Sequence, residues 1–361
     1  MLMELIPGLP DDLGRECLTH VSYKEFSKFF YICKSWKAEI GSRHFHQLRK
    51  ANGFNRNIIV LTQVDQDSSL VSGNKHSSTP AYQLSLYEPE TGLWSRLPAI
   101  PGFSNGIPLF CRCVGVGHYL VLIGGWNPTS WKASNTVFVY DFVTATWKRG
   151  VDMPGPSISF FGCASDYDQT IVLVAGGHDE EKNALRSALL YDVIKDEWIS
   201  LPDMAKERDE CKAIFHAGKF HVISGYSTEM QGKFQNDAEV FDTATSSWCH
   251  VDNNFHQTDE ICPPMVVNRK GEMFRCCAGS VEIWEASMWK SVTQLPPDVC
   301  VGSVMLTWQE KMLVIGSDKF GGTQNMYVLE LKGINKCYCW KKVELPLEFS
   351  GRVQAGCSLE I

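Results

Sequence analysis

Residues Val121–Trp147 read VLIGGWNPTSWKASNTVFVYDFVTATW, and the reading of this stretch decides the fold. An apolar run ends in a double glycine, Gly124-Gly125, and a polar loop follows. A second apolar run closes on Tyr140-Asp141, and a turn leads to Trp147. The same grammar returns in Val172–Trp198, with Gly176, Gly177, Tyr191, Asp192 and Trp198, and in His221–Trp248, with Gly225, Phe241, Asp242 and Trp248. Tyr or Phe precedes Trp by seven residues in each copy, and again from Tyr87 to Trp94. Trp289 and Trp340 extend the ladder to six tryptophans, at gaps of 53, 51, 50, 41 and 51 residues. Short strands repeated at this period imply sheet modules that bury their faces on one another.

Within a copy, a first strand (CRCVGVG, FFGCASD, CKAIFHAG) leads into a β-rich second strand (YLVLIGG, TIVLVAGG, FHVISG). A variable loop, a strand ending Tyr-Asp, a turn and a strand opened by Trp complete it. Glycines that end the second strand let backbones approach where no Cβ fits. The Asp after Tyr caps the hairpin turn. Tyr and Trp across that turn share one side and fill the wedge between sheets. The pattern resembles the kelch motif, and the resemblance implies a mainly β chain folded as a six-bladed kelch β-propeller. The fifth copy is eroded, with Ala278-Gly279 and Trp284 to Trp289, and the sixth carries Gly316-Ser317. The first copy lacks its opening strand, and GRVQAGCSLEI (Gly351–Ile361) has the composition to supply it. Closure by that strand, over a propeller of residues 57–361, removes an open sheet edge.

Residues 1–56 follow a different rule. Pro10-Asp11-Asp12 reads as a helix start with acidic residues where the dipole favours them. Leu9, Leu13, Cys17 and Leu18 follow at helical spacing. Ser22 with Glu25 reads as a capping box for a second helix. Phe26, Phe29, Phe30, Ile32, Cys33 and Trp36 occupy more than one face of it. So small a piece rarely supplies its own core. Either these side chains pack on the propeller, or a partner covers them at about 1.5–3 kcal/mol each before association costs. Leu9-Pro10-Asp11-Asp12, Leu18, and Ile32-Cys33-Lys34-Ser35-Trp36 followed by Phe45 resemble an F-box over residues 4–48. Ile32 stands where Val is usual, and Tyr23-Lys24-Glu25-Phe26 replaces the common Asp-Leu pair. The resemblance implies a small α-helical F-box domain at residues 1–50. In it, Leu9, Pro10, Leu13, Leu18, Ile32 and Trp36 would anchor the F-box core and its docking onto a Skp-family adaptor and, through it, a cullin. NGFNRN (52–57) reads as a hinge, with 51–56 as linker, and 66–80 as a polar disordered insertion.

Composition bounds the function. At 361 residues, with 44% hydrophobic and 21% charged residues, the chain is globular. A net charge of -7 without a basic block argues against a nucleic-acid partner. No apolar run approaches a membrane span, and no leader pattern opens the sequence, so the chain is expected in the cytoplasm or nucleus. The 14 cysteines lack CxxC spacing and read as reduced structural thiols. Among the ten histidines, His44, His46, His118, His178, His216, His221, His250 and His256 are scattered without metal spacing. No phosphate loop or nucleophile elbow appears, so no cofactor, metal or catalytic residue is expected. Convergence of histidines in the channel would instead indicate a metal-dependent propeller enzyme.

Loops joining second to third strands share a face with loops joining consecutive blades, and such loops carry binding residues. The first class holds Trp126, Asn127, Trp131, His178, Arg186, Tyr226, Phe234 and Lys319. The second holds Phe103, Asn105, Lys206, Arg208 and Arg352. Aromatic residues beside Arg and Lys have the composition of interface hot spots, although Trp126 and Trp131 can also pack over their own blade. The joint resemblance is to plant F-box/kelch proteins. It implies a substrate receptor of an SCF-type ubiquitin ligase that holds a protein target. Some such relatives direct the turnover of phenylpropanoid enzymes such as phenylalanine ammonia-lyase, or of cytokinin response regulators. A kelch scaffold without ubiquitin transfer is the third reading.

Overall fold

A computed structural model describes residues 4–65, 81–103, 106–166, 170–252, 255, 265–332 and 337–361. Six four-stranded antiparallel sheets form a propeller. From the innermost strand outward, blade 1 is Val353–Glu360, Asn57–Val64, Tyr82–Glu88 and Leu93–Arg96. Blade 2 is Arg112–Val116, Tyr119–Ile123, Val137–Asp141 and Thr146–Arg149. Blades 3 to 6 repeat this order through Gly162–Leu201, Lys212–Asp252, Val266–Gln294 and Val301–Val343. Blade 1 thus takes its inner strand from the far end of the sequence, with Asn57 paired to Glu360 and Thr62 to Ala355.

The tryptophan ladder explains the packing between blades. Tyr87–Trp94, Tyr140–Trp147, Tyr191–Trp198 and Phe241–Trp248 are direct cross-strand partners. Their ring centroids lie 4.7, 5.0, 4.9 and 5.2 Å apart. Each such pair adds about 0.5–1.5 kcal/mol beyond its buried area. Blade 5 substitutes Trp284 for Tyr, at 5.1 Å from Trp289. The outer tryptophan also reaches the preceding blade: Trp147 Nε1 donates to the Pro98 carbonyl at 2.8 Å and Trp198 Nε1 to Val151 at 2.9 Å. Trp94, across the closure, lacks that bond and stacks on Phe349 at 5.1 Å. Asp141 and Asp192 cap their hairpins, accepting from Val143 N and Ile194 N. Gly125 and Gly177 have φ of +90° and +85°, and a Cβ would meet the Leu109 carbonyl oxygen at 2.7 Å and that of Ser159 at 2.4 Å. Nothing larger than glycine fits there.

Four helices precede the ring: α1 (Asp11–Thr19), α2 (Phe26–Phe30), α3 (Lys34–Ile40) and α4 (Arg43–Ala51). Leu18, Phe26, Ile40 and Phe45 are buried in a cluster continuous with Ile58, Leu84, Phe142 and Leu359 of blades 1 and 2. Buried Arg49 ties the segment together, donating to the carbonyls of Thr19, Val21 and Phe54. The proposed capping box is absent. Tyr23–Glu25 forms a 3-10 turn, the Ser22 side chain makes no cap bond, and Glu25 N donates to the Ser22 carbonyl. The expected hinge is not a free joint either. Phe54 N donates to the Arg49 carbonyl, Asn55 bonds Glu360, and Arg56 and Ile361 exchange both backbone hydrogen bonds at 2.7 and 2.9 Å. The stretch 66–80 lies outside the described residues.

Candidate interaction surfaces

The helices sit on one face of the ring, over blades 1 and 2. Tyr23 Oη donates to Glu88 Oε1 at 2.7 Å, and Lys24 pairs with the same carboxylate at 2.6 Å. Burial opposes ionisation of Glu88, yet Lys24 and Tyr23 together hold it below the usual carboxylate range. His46 stacks on His118 at 4.8 Å, Tyr23 meets Phe142 edge-on at 6.4 Å, and Lys50 pairs with Glu360. Glu88, His118, Phe142 and Glu360 all belong to turns or strand ends on the same side of blades 1 and 2.

On the outer side of the helices, Leu13 is 52% exposed, Ile32 59% and Tyr31 64%, with Pro10 also in solvent. Leu9 is half-buried. Trp36 is half-buried as well, stacked on Phe29 at 5.4 Å, with Nε1 donating to the Leu5 carbonyl. Leu18, at 2% exposure, lies in the core, as expected of a core anchor, and presents no surface of its own for the expected adaptor contact. Of the six expected adaptor contacts, five keep solvent-facing surface.

The opposite face carries the loops. Isolated bridges between Leu109 and Trp126, Ser159 and His178, and Asp209 and Tyr226 join the two loop classes into one surface. Over blades 2 and 3 they build an aromatic platform. Trp126 donates to Ser159 Oγ at 2.7 Å, and Trp131, 52% exposed, meets it edge-on at 6.4 Å. Phe110 and Phe160 lie 5.3 Å apart beside it. Phe160 stacks on His178, and Lys182 Nζ sits 5.2 Å from the Trp126 ring and 2.8 Å from His178 Nε2. Asn127 shapes the loop by accepting from Thr129 N and Ser130 N.

Several expected contact residues do other work. Arg208 is fully buried, bonded to Glu239 at 3.0 Å, Asp237 at 2.9 Å and the Ser224 carbonyl at 2.8 Å. Burial opposes ionisation of Asp237, but Arg208 and Lys206 hold its carboxyl below the usual range. Arg208 therefore anchors the loop and cannot be a contact. His178 is buried too, with Nδ1 against Asp209 at 2.8 Å, and so is Tyr226, whose hydroxyl reaches Glu210 and whose ring meets half-buried Phe234 at 5.2 Å. Burial first, then Asp209 and Glu210, push the Tyr226 hydroxyl up. Arg186 is exposed and paired with Asp203. Half-buried Phe103 packs edge-on to Phe138, and Asn105 lies outside the described residues. Lys319 and Arg352 are exposed outside the platform, and Arg352 lines a cavity of about 400 Å³ between blades 6 and 1. Phe320, 90% exposed, and Leu347 stand at that cavity.

Sequence reading missed Phe110, Phe160, Lys182 and Phe320. The first two had a signal. Phe110, Phe160 and Glu210 occupy one position in three successive blades, directly before the residue that leads into the inner strand, and have φ of 59°, 56° and 54°. Non-glycine residues held there cost about 1–3 kcal/mol each, and such strain collects at functional sites. Among the described residues, no group of three or more His, Cys, Asp or Glu is placed to hold a metal, and no histidine lines the channel. No described helix is long and apolar enough to cross a membrane.

The chain is a six-bladed propeller with a four-helix segment on one face and an exposed aromatic platform on the other. Comparison with known proteins is specific. The family model described as Kelch motif matches residues 109–154 and 159–205, which are blades 2 and 3. F-box/kelch-repeat protein At1g15670 of Arabidopsis thaliana is 47% identical over 364 residues, covering 99% of this chain and all of the relative. F-box/kelch-repeat protein At1g80440 of the same plant is 44% identical over 365 residues, with equal coverage. The solved structure described as "Structure of YjhT" matches with a TM-score of 0.57 at 14% identity, over 71% of this chain and 91% of that one, a likeness of fold alone. The chain belongs to the F-box/kelch-repeat family.

Proposed function

We propose that this protein is the substrate receptor of an SCF-type ubiquitin ligase. Its helical segment, residues 1–50, docks on a Skp-family adaptor through Leu9, Pro10, Leu13, Ile32 and the exposed edge of Trp36. The adaptor carries a cullin. The propeller holds a protein target on the loop face, with Trp131, Phe110 and Phe160 as first contacts. The receptor makes and breaks no bond; it raises the effective concentration of target near the ubiquitin-loaded enzyme. Phenylpropanoid enzymes and cytokinin response regulators are the target classes that the family resemblance suggests.

One observation carries this reading: Leu13 and Ile32 stay in water on the outer side of the helices, while the platform around Trp131 opens on the opposite face of the ring. Two partners can therefore be bound at once. Affinity capture of the full chain is expected to recover adaptor and cullin, and Leu13→Asp/Ile32→Asp to lose both while keeping the target. Capture of the target by a chain that never recovers the adaptor would favour a scaffold without ubiquitin transfer. Proximity labelling with the proteasome inhibited is the route to the target itself.

A further inference from the structure

Ring closure brings together two thiols that lie 244 residues apart in the chain. Cys113 is in the inner strand of blade 2 and Cys357 in the closing strand Val353–Glu360, its neighbour around the channel. Gly115 sets their approach, since a Cβ there would meet the Ser358 carbonyl oxygen at 2.5 Å and the Leu359 side chain at 2.8 Å. Cys113, two residues away and so on the same side of its strand, points its sulfur at that of Cys357, and the two Sγ atoms are 3.6 Å apart. A disulfide needs about 2.05 Å, so closing this gap takes a movement of about 1.5 Å. Both residues are buried in the protein yet line the central channel, a cavity of about 530 Å³. A void of that size admits water and hydrogen peroxide.

We propose that Cys113 and Cys357 are an oxidisable dithiol whose disulfide locks the ring covalently. The oxidant is a hydroperoxide, hydrogen peroxide in the simplest case. One sulfur, having lost its proton, attacks a peroxide oxygen, and the O–O bond breaks to leave a sulfenic acid and one water. The second sulfur then displaces the hydroxyl of the sulfenic acid, which departs with that thiol's proton as a second water. Two thiols and one hydrogen peroxide give one disulfide and two waters. The hydrogen bond with Cys357, together with burial, holds the Cys113 thiol well above the ordinary range. Attack is therefore slow, and the pair rests in the dithiol state until peroxide is sustained. Once formed, the bond ties the closing strand Val353–Glu360 to blade 2, beside its pairing with Asn57–Val64, and closes a loop spanning 244 positions, so the unfolded state loses freedom.

The test uses the full chain treated with hydrogen peroxide, alkylated, digested without reduction and mapped by mass spectrometry, with parallel thermal melts. The expected result is a peptide pair joined through Cys113 and Cys357, two hydrogens lighter. Its Tm should rise by about 5 °C, a gain reversed by dithiothreitol. Cys357→Ser and Cys113→Ser should each lose both the linked pair and the rise. Where a buried serine prevents folding, Cys357→Ala replaces it, and the wild-type map decides independently. Recovery of Cys113 and Cys357 as free thiols while the exposed Cys17 and Cys300 are oxidised would overturn the proposal. So would a linked pair that leaves Tm unchanged or lowered.

Discussion

On one face of the ring, Phe142 and Val143 in the hairpin turn of blade 2 are buried beneath the helices; on the other, Trp131 and Phe320 stand in water. The blades are the same on both sides, so the difference lies in the loops. The helix-bearing face is made of short turns capped by Asp141 and its equivalents, which leave room for Tyr23, His46 and Lys50 to reach in. The loop face braces itself through Arg208 and through the His178–Asp209 pair, and among the described residues no α-helix packs above it. Apolar surface on the first face is already spent on fixing the helices. On the second it remains free, which is where a partner gains most from burial.

The sharpest way to break this contrast is to remove the element both sides share. Deleting residues 353–361 strips blade 1 of its inner strand and also removes the Lys50–Glu360 and Arg56–Ile361 links to the helices. A fall in melting temperature above about 10 °C with aggregation is expected, read by light scattering during a melt. An unchanged melt would mean that the ring closes by other contacts. Next in size is Arg208→Ala, which leaves Glu239 buried without its cation and Asp237 with Lys206 alone. About 3–5 kcal/mol of stability should be lost in denaturant unfolding. Lys206→Ala, at the exposed end of the same network, should cost under about 1 kcal/mol.

How far these features were legible in sequence follows from what fixes them. The blades were readable because the Tyr–Trp spacing is local and each pair is a direct cross-strand neighbour. The gap at the start of copy one left a place that Val353–Glu360 fills. Ser22–Glu25 misled because a capping box competes with the backbone turn that lets Tyr23 reach Glu88 across the domain contact. The hinge misled because Asn and Gly signal a turn without saying whether other chain segments clasp it, as Glu360 and Ile361 do. Loop topology put Arg208 and Trp131 on the correct face but could not say which was buried, since that depends on Asp237 and Glu239, about thirty positions downstream. Phe110 and Phe160 needed the copies compared at the blade junction, where the backbone turns left-handed.

The helix-bearing face sharpens the contrast through two further outcomes. Leu13→Asp/Ile32→Asp should weaken adaptor binding by at least about tenfold in calorimetry while leaving the melt unchanged, because neither side chain supports the ring. Acid should act on the seam itself. Burial lowers His46 to about 3, aided by His118 and Arg49, and lowers His118 to about 4. Unfolded histidine protonates near 6.5, so the unfolded state binds more protons below that pH and stability falls as pH drops from about 6.5 toward 4. Above it the contribution is complete. His118→Gln should make the stability profile shallower between pH 7 and 5, with His46 supplying the slope that remains, and an equally steep profile would show that His118 does not titrate there.

The smallest stability effect is the most telling about the loop face. Trp126 and Trp131 sit in one loop, but Trp126 is held by Ser159 and Lys182 while Trp131 is half in water on a left-handed backbone with φ of 55°. If both only pack over their own blade, Trp131→Ala and Trp126→Ala should each lower stability and neither should touch binding. If Trp131 is a contact, its removal should shift the denaturation midpoint little, within about 0.5 kcal/mol, yet weaken target capture by about tenfold or more. Trp126→Ala should do the reverse in stability, losing about 1–3 kcal/mol through its unpaired partner and lost packing. A proximity-labelled target measured against both variants separates the two roles, because only a surface contact dissociates binding from folding. Asn127→Ala, which releases the loop without removing a ring, should fall between them.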